Sequence, residues 1–252
     1  MRSPEPDALP LLLTHSWPGS IVEFMNIIGP LTDPRAHGAD PAGAFHVVAP
    51  SIPGFAFSEG PRETGWGISR VADAWAELMS RLGYERYGAQ GNDAGALISP
   101  ELARLYPEHV VGVHLTGGVG FPSASDIGEL TEDELARLGE MQQMMEGGAF
   151  IHLEIQSKRP QTFAYGLTDS PVGKLAWIIE KFKEWTDANT ELPEDAVDRD
   201  QLLTNVTLYW LTGSAASSMW MYYEGAAGWS PSQSKVPTGT NMVFHNDRSG
   251  NV

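Results

Sequence analysis

A five-residue motif between a strand and a helix limits most tightly how this chain can fold. Gly91-Asn92-Asp93-Ala94-Gly95 follows a predicted strand, 84–90, and leads directly into a predicted helix, 94–106. Small residues two positions before and after a reactive side chain permit a sharp strand-to-helix turn. The motif therefore predicts that Asp93 projects over the carboxyl end of a sheet, above a helix N-terminus. A carboxylate at this position can act as a nucleophile without a base to activate it. The alternative interpretation is that Asp93 is an ordinary aspartate in a solvated turn.

The segments around this motif alternate between strands and helices. Apolar runs at 9–14, 45–50 and 109–115 are typical of strands buried on both faces, and 67–82 carries one apolar stripe at helical spacing. Strands that alternate with helices form mostly parallel sheets. We therefore predict an α/β fold in which helices flank a mostly parallel sheet on both faces.

Beyond about Phe121 the pattern changes to helices without intervening strands. Thr131 begins a capping box, Ser170 and a following proline begin a helix over 171–185, and 201–223 is predicted as one further helix. The last of these carries an aromatic stripe that more often forms a helical core than a ligand contact. Its members are Tyr209, Trp210, Trp220, Tyr222 and Tyr223.

The order of these segments predicts how the chain divides. Residues 1–120 would form the first part of the core, and 121–224 a helical cap over the carboxyl edge of the sheet. A strand predicted within 235–247 would return the chain, 225–252, to the core.

Composition excludes several classes of function. The formal charge of −16 argues against nucleic acid or an anionic membrane surface as a partner. The chain has no cysteine, so a disulfide framework, a thiolate nucleophile and a cysteine metal site are excluded, and we expect no cofactor or metal. No apolar stretch approaches the roughly 18 residues of a membrane span, and the acidic, proline-rich start is unlike a signal peptide. We expect a cytoplasmic protein.

Six segments, in order along nearly the whole chain, resemble the microsomal-type epoxide hydrolases of the α/β-hydrolase superfamily. They are His15-Ser-Trp-Pro-Gly19, Val47-Val-Ala-Pro-Ser-Ile-Pro-Gly-Phe55, Gly91-Asn-Asp-Ala-Gly95, Ile155-Gln-Ser-Lys-Arg-Pro-Gln-Thr162, Asp169-Ser-Pro-Val-Gly173 and Glu180-Lys-Phe182. The resemblance implies a sheet with an inserted helical cap. It also implies hydrolysis of a small apolar epoxide by water to a vicinal diol, through an ester on Asp93.

The resemblance also implies two cap donors for the epoxide oxygen, which are tyrosines in the family. The first position falls on His152, where this chain departs from the family, and the second falls on Tyr222, with Tyr223 left open as the alternative. A His/Tyr pair can still polarise an epoxide, since neutral imidazole has one N–H donor. The unperturbed histidine pKa predicts that ring opening would depend on pH near 6.5.

For ester hydrolysis, the resemblance implies an oxyanion hole formed by the backbone N–H groups of Trp17 and Ala94. The family usually has glycine at Ser16 and tryptophan at Ala94, so we expect a wider pocket here. His15 is interpreted as a structural residue of its loop.

The water-activating base is a histidine held by an acid, and Asp247 resembles the acid. No histidine within residues 1–252 occupies a motif that matches the family's base, and the family's N-terminal meander is also not found. The sequence therefore predicts that the Asp93 ester forms but is hydrolysed slowly.

Two other interpretations remain open. A dehalogenase of the same superfamily would use Asp93 to displace halide, although Ala94 replaces the tryptophan that commonly holds the halide. A ligand-binding fragment without full catalysis would use the same cap and sheet. The sequence leaves open whether the protein is a homodimer.

Overall fold

The computed structural model describes residues 1–117, 128, 130–186, 189–225 and 234–241. Within this part of the chain, five strands form one sheet in the order β2-β1-β3-β4-β5, and every neighbouring pair is parallel. The strands are β1 Leu9–Thr14, β2 Phe45–Val48, β3 Tyr87–Asn92, β4 Val110–Thr116 and β5 Thr238–Asn241. The helices are α1 Met25–Thr32, α2 Ile68–Arg81, α3 Gly95–Leu105, α4 Glu132–Glu146, α5 Ile151–Lys158, α6 Pro160–Asp169, α7 Pro171–Trp185, α8 Arg199–Leu211 and α9 Ser217–Gly225.

Helices cover both faces of this sheet. Alternate side chains of a strand point to opposite faces, and in β1 Leu12 joins one apolar cluster while Leu13 joins another. The Leu12 cluster contains buried apolar residues of α2 and α3, whereas the Leu13 cluster contains Phe24, with Ile28 and Leu31 of α1 packed against it. The predicted α/β fold with a mostly parallel sheet is thereby confirmed.

The helices from α4 to α9 all lie between β4 and β5 in the chain. Two of them begin at the predicted signals: Thr131 and Glu134 form a reciprocal capping box at α4, and the Ser170 side chain caps α7. Ile178 of α7 and Tyr222 of α9 belong to the same apolar cluster as the sheet residues, so the helical block packs directly on the core. No helix among the described residues is long and apolar enough to cross a membrane.

The prediction of one helix over 201–223 is wrong. The segment forms α8 and α9, which are separated at 212–216. Gly213 has φ +65°, a left-handed conformation that ends the first helix and re-aims the second. Because of this turn, α9 presents Tyr222 to the sheet.

Candidate active site

The predicted turn at Asp93 is a strained strand-to-helix elbow. Asp93 has φ +51°, between the end of β3 at Asn92 and the start of α3 at Gly95. A Cβ atom on Gly91 would lie 1.9 Å from the Gly95 carbonyl oxygen, and one on Gly95 would lie 2.2 Å from the Thr14 carbonyl oxygen. Backbone thus approaches backbone so closely on both sides that only glycine fits. The structure therefore explains in steric terms why small residues flank Asp93.

The Asp93 carboxyl group is accessible within surroundings of protein. Its side chain is accessible although Ala94 and Gly95 beside it are buried. Desolvation by the surrounding protein nevertheless raises the pKa of Asp93, while hydrogen bonds from the Ala94 N–H and from Ser16 and Tyr222 oppose this rise. The three donors favour the ionised form of this carboxyl group.

Tyr222 is the tyrosine that the fold brings to Asp93. Its hydroxyl group donates a long hydrogen bond of 3.4 Å to Asp93 Oδ1 and lies 3.2 Å from Ser16 Oγ. Tyr222 is 1% exposed, whereas Tyr223 is 56% exposed. Its own burial, and then the charge of Asp93, raise the pKa of Tyr222 well above the usual value, so this hydroxyl remains a proton donor at neutral pH. Ser16, where the family usually has glycine, is the third member of this network.

His152, the other predicted donor, lies in an aromatic enclosure beside Tyr222. Its ring stacks on Trp17 at 5.0 Å and meets the rings of Trp185 and Tyr222 edge-on at 4.9 and 6.4 Å. The side chain is 1% exposed, and Nδ1 has no hydrogen-bond partner among the described residues. Desolvation, followed by the charge of Lys181, lowers the pKa of His152 to about 4. The expectation that this group titrates near pH 6.5 is therefore wrong, because the enclosure disfavours the imidazolium.

The two predicted oxyanion-hole residues differ in what they contact. The backbone N–H of Ala94 donates to Asp93 Oδ1 at 2.6 Å. Trp17 is buried, packs on His152 and Trp177, and is joined to Pro18 by a cis peptide bond. Within the described part of the chain, the Trp17 N–H makes no hydrogen bond to Asp93. Asp247, the predicted acid, lies outside the described residues.

His15 is enclosed in the interior. Its Nε2 lies 3.3 Å from Ser51 Oγ, and its ring contacts those of Phe24 and Phe55. Burial lowers the pKa of His15 to about 4, so the ring is neutral at physiological pH. This geometry suits a residue that orders the loop after β1.

A second carboxyl group, Glu23, belongs to this site and was not identified from the sequence. Its Oε2 accepts a hydrogen bond from the Nδ2 group of Asn92, the residue before Asp93. Desolvation raises the pKa of Glu23 to about 8; the charge of Asp93 adds to this rise, and the Asn92 hydrogen bond opposes it. The one sequence signal is a lone charge inside an apolar run, Ile21-Val-Glu-Phe-Met25.

Two clefts lie away from this site. One of about 460 Å³ is lined by residues at the amino ends of β1 and β2, including Leu9 and Phe45, at the opposite edge of the sheet from Asp93. Another of about 230 Å³ lies between α2 and the start of β3. Neither contains a reactive group on a strained turn, so the elbow is the better candidate. Among the described residues, no cluster of three His, Asp or Glu side chains could hold a metal ion.

Comparison with known proteins identifies relatives of the same architecture. A family model described as the alpha/beta hydrolase fold matches residues 10–224. A protein of Stigmatella aurantiaca (strain DW4/3-1), whose name assigns it provisionally to the epoxide hydrolases, is 46% identical over 242 residues, 96% of this chain and 54% of that protein. Epoxide hydrolase 1 of Sus scrofa is 38% identical over 237 residues, 86% of this chain and 52% of that protein.

A solved structure agrees with these relatives. The crystal structure of juvenile hormone epoxide hydrolase from the silkworm Bombyx mori matches with a TM-score of 0.81 at 32% identity. The match covers 96% of this chain and 62% of that one. The chain thus spans about half the length of the curated relatives it matches.

Proposed function

Because the chain belongs to an epoxide hydrolase family within the α/β-hydrolase superfamily, we propose that it opens epoxides to vicinal diols through an ester on Asp93. The main support for this proposal is the elbow at Asp93, which has φ +51°. The Asp93 carboxyl group accepts a hydrogen bond of 3.4 Å from the Tyr222 hydroxyl. A proposed nucleophile and a proposed donor for the leaving oxygen are thus in contact.

In the proposed ring opening, an Asp93 oxygen forms a bond to an epoxide carbon as the carbon–oxygen bond of the ring breaks. Negative charge then develops on the ring oxygen, and the Tyr222 hydroxyl donates a proton to it. His152 serves as the second donor through the N–H of its neutral ring, since its pKa of about 4 leaves it uncharged at pH 7. Donors of this kind typically accelerate such a step about 10²–10⁴-fold.

In the proposed second half-reaction, water attacks the carbonyl carbon of the Asp93 ester. The Ala94 N–H, which already lies 2.6 Å from Oδ1, is positioned for the developing oxyanion. We propose the Trp17 N–H as the second oxyanion donor and Asp247 as the acid that supports a histidine base. All three roles follow from the family resemblance together with the placement of Ala94.

The surroundings of the site favour an apolar epoxide. The side chains beside Tyr222 are aromatic, with Trp17, Phe150 and Trp185 around the His152 imidazole. Ala94 takes little of the space beside the nucleophile, which leaves room for a broad substrate. We propose that 121–224 forms the cap over the carboxyl edge of the sheet, between core segments 1–120 and 225–252. A cytoplasmic location and a homodimer stay predictions from the sequence.

A direct test is to incubate the folded protein with styrene oxide. The expected result is a mass increase of one substrate on the peptide that contains Asp93, together with diol in solution. Asp93→Asn should abolish the increase, because an amide is a far weaker nucleophile than a carboxylate. A parallel incubation with a haloalkane of similar size tests the dehalogenase alternative through halide release. If the folded chain forms neither adduct nor diol, the proposed function is wrong.

A further inference from the structure

A buried hydroxyl group, that of Ser16, lies beside both reacting side chains of the proposed ring opening. Its Oγ is 3.2 Å from the Tyr222 hydroxyl oxygen, and it also forms a hydrogen bond with the Asp93 carboxyl group. Ser16 is 2% exposed, so protein groups and not bulk water determine what this hydroxyl contacts. It lies in the loop after β1, 206 positions before Tyr222 in the chain. Neither of the proposed half-reactions uses this group.

The hydroxyl proton of Ser16 has two possible acceptors in this network. The Tyr222 proton is directed at Asp93 Oδ1, so the Tyr222 oxygen is left to accept through its lone pairs. The Ser16 hydroxyl rotates freely about its C–O bond and can donate either to the Asp93 carboxylate or to the Tyr222 oxygen. Desolvation raises the pKa of Asp93 and of Tyr222, and the hydrogen bond with Ser16 opposes the rise in both.

Ring opening moves the negative charge of this network from Asp93 to Tyr222. Asp93 loses its charge when it forms the ester, and Tyr222 becomes a phenolate when its proton passes to the ring oxygen. His152 does not take over as the proton source, because its ring is neutral and its N–H only donates a hydrogen bond. Ser16 therefore lies beside the oxygen that loses the charge and beside the oxygen that gains it.

Resting on the proposed function, we infer that Ser16 is a positioning residue for ring opening that acts through Tyr222: its hydroxyl group stabilises the phenolate that forms there. A phenolate is a stronger base than a carboxylate, so the Ser16 hydrogen bond becomes stronger as the charge reaches Tyr222. The resting carboxylate depends less on Ser16, because it keeps the Ala94 N–H at 2.6 Å as a donor. Rotation of one hydroxyl group makes the change without any movement of the backbone.

The step balances in atoms and charge. An Asp93 oxygen forms a bond to an epoxide carbon as the carbon–oxygen bond of the ring breaks. The Tyr222 proton passes to the ring oxygen, which becomes a hydroxyl group, and the single negative charge then lies on Tyr222. The Ser16 proton stays on Ser16. Hydrolysis of the ester by water later yields the diol, ionised Asp93 and one proton, and that proton restores the Tyr222 hydroxyl.

The test compares the wild-type chain with Ser16→Ala and a control, Ser218→Ala. Alanine keeps the Cβ atom of Ser16 and removes only the hydroxyl group. Ser218 is also a buried serine and lies on α9, but its hydroxyl group donates to the Ala215 carbonyl oxygen. Ser16→Gly, which has the residue usual in the family, is a second variant without the hydroxyl group. Both Ser16 variants are also made in the Tyr222→Phe background.

The measurement is the rate of Asp93 alkylation by styrene oxide, followed by intact mass at a series of epoxide concentrations. It gives the limiting rate and the half-saturating concentration for each variant. Circular dichroism and a urea titration establish that each variant is folded.

The expected result is a limiting rate about 10–10²-fold below the wild type in both Ser16 variants, which is the usual effect of a hydrogen bond to a charged oxygen. The half-saturating concentration should change by less than about twofold, because Ser16 contacts Tyr222 and not the epoxide. In the Tyr222→Phe background, loss of the Ser16 hydroxyl should have no further effect, because no phenolate can form. Ser218→Ala should match the wild type.

Several results would overturn the inference and leave the proposed function standing. An unchanged limiting rate in the Ser16 variants, or an equal loss in Ser218→Ala, would show that the Ser16 hydroxyl has no particular part in ring opening. An equal loss with and without the Tyr222 hydroxyl would show that Ser16 does not act through Tyr222. Unfolding of both Ser16 variants would assign the hydroxyl a structural role. Absence of any adduct in the folded wild-type chain would overturn both the inference and the proposed function.

Discussion

Replacement of Tyr222 by phenylalanine separates the chemistry of the site from its packing. The ring, which is 1% exposed, is retained, and the change removes only the hydroxyl group that contacts Asp93 and Ser16. If that hydroxyl protonates the opening epoxide, the rate of Asp93 alkylation should fall about 10²–10⁴-fold. At about 1.36 kcal/mol per tenfold, this corresponds to about 2.7–5.4 kcal/mol of transition-state stabilisation. The loss of a hydrogen bond to the Asp93 carboxylate should lower the free energy of unfolding by about 1.5–3 kcal/mol.

The assay is a single-turnover measurement. Protein in excess is mixed with styrene oxide, the reaction is quenched at intervals, and intact mass gives the fraction of protein alkylated on Asp93. Urea titrations of the same preparations give the free energy of unfolding. Tyr223→Phe is the matched control, because it makes the same chemical change one residue further along α9 at a side chain that is 56% exposed. It should change the alkylation rate by no more than about twofold, as expected for a surface site.

Two results would refute this reasoning. If Tyr222→Phe alkylates Asp93 as fast as the wild type, the proton for the ring oxygen comes from another group, and the hydrogen bond to Asp93 is structural. If Tyr222→Phe and Tyr223→Phe lose rate equally, the effect belongs to α9 as a whole and not to the hydroxyl group at Asp93.

Two further predictions concern stability. Gly95→Ala places a methyl group 2.2 Å from the Thr14 carbonyl oxygen, so urea titration should show that the free energy of unfolding falls by about 1–3 kcal/mol or more. The control, Gly166→Ala, lies in α6 with open space around it and should instead raise the free energy of unfolding by roughly 0.5–1 kcal/mol. Equal effects of the two changes would contradict the steric account of the elbow. Burial lowers the pKa of both His15 and His152 from 6.5 to about 4, so the unfolded chain binds more protons between these values. The free energy of unfolding should therefore fall as pH decreases from about 6.5 to about 4, and His152→Phe should make this decline shallower; an unchanged slope would show that His152 is not buried in its neutral form.

The sequence by itself determined the α/β fold and the position of the nucleophile candidate, because the signals for both are local. The run Leu9–Thr14 is a strand with the predicted bounds, and α7 begins at Pro171 behind the Ser170 cap, as predicted. The glycine spacing around Asp93 indicated a sharp turn. The structure shows why glycine is needed there, because the backbone of Gly95 lies directly against that of Thr14. The break between α8 and α9 was missed because the apolar pattern continues across Gly213.

Only the tertiary structure decided which side chains lie beside Asp93. Nothing local distinguishes Tyr222 from Tyr223, and the choice follows from the rotation of α9 after the turn at Gly213. Glu23, which lies 69 positions before its partner Asn92, has no motif that would connect it to the nucleophile. The same holds for the charge state of His152. Desolvation arises only when distant segments of the chain enclose a group together. The shifted pKa of such a group therefore depends on the folded interior and cannot be read from the residue type.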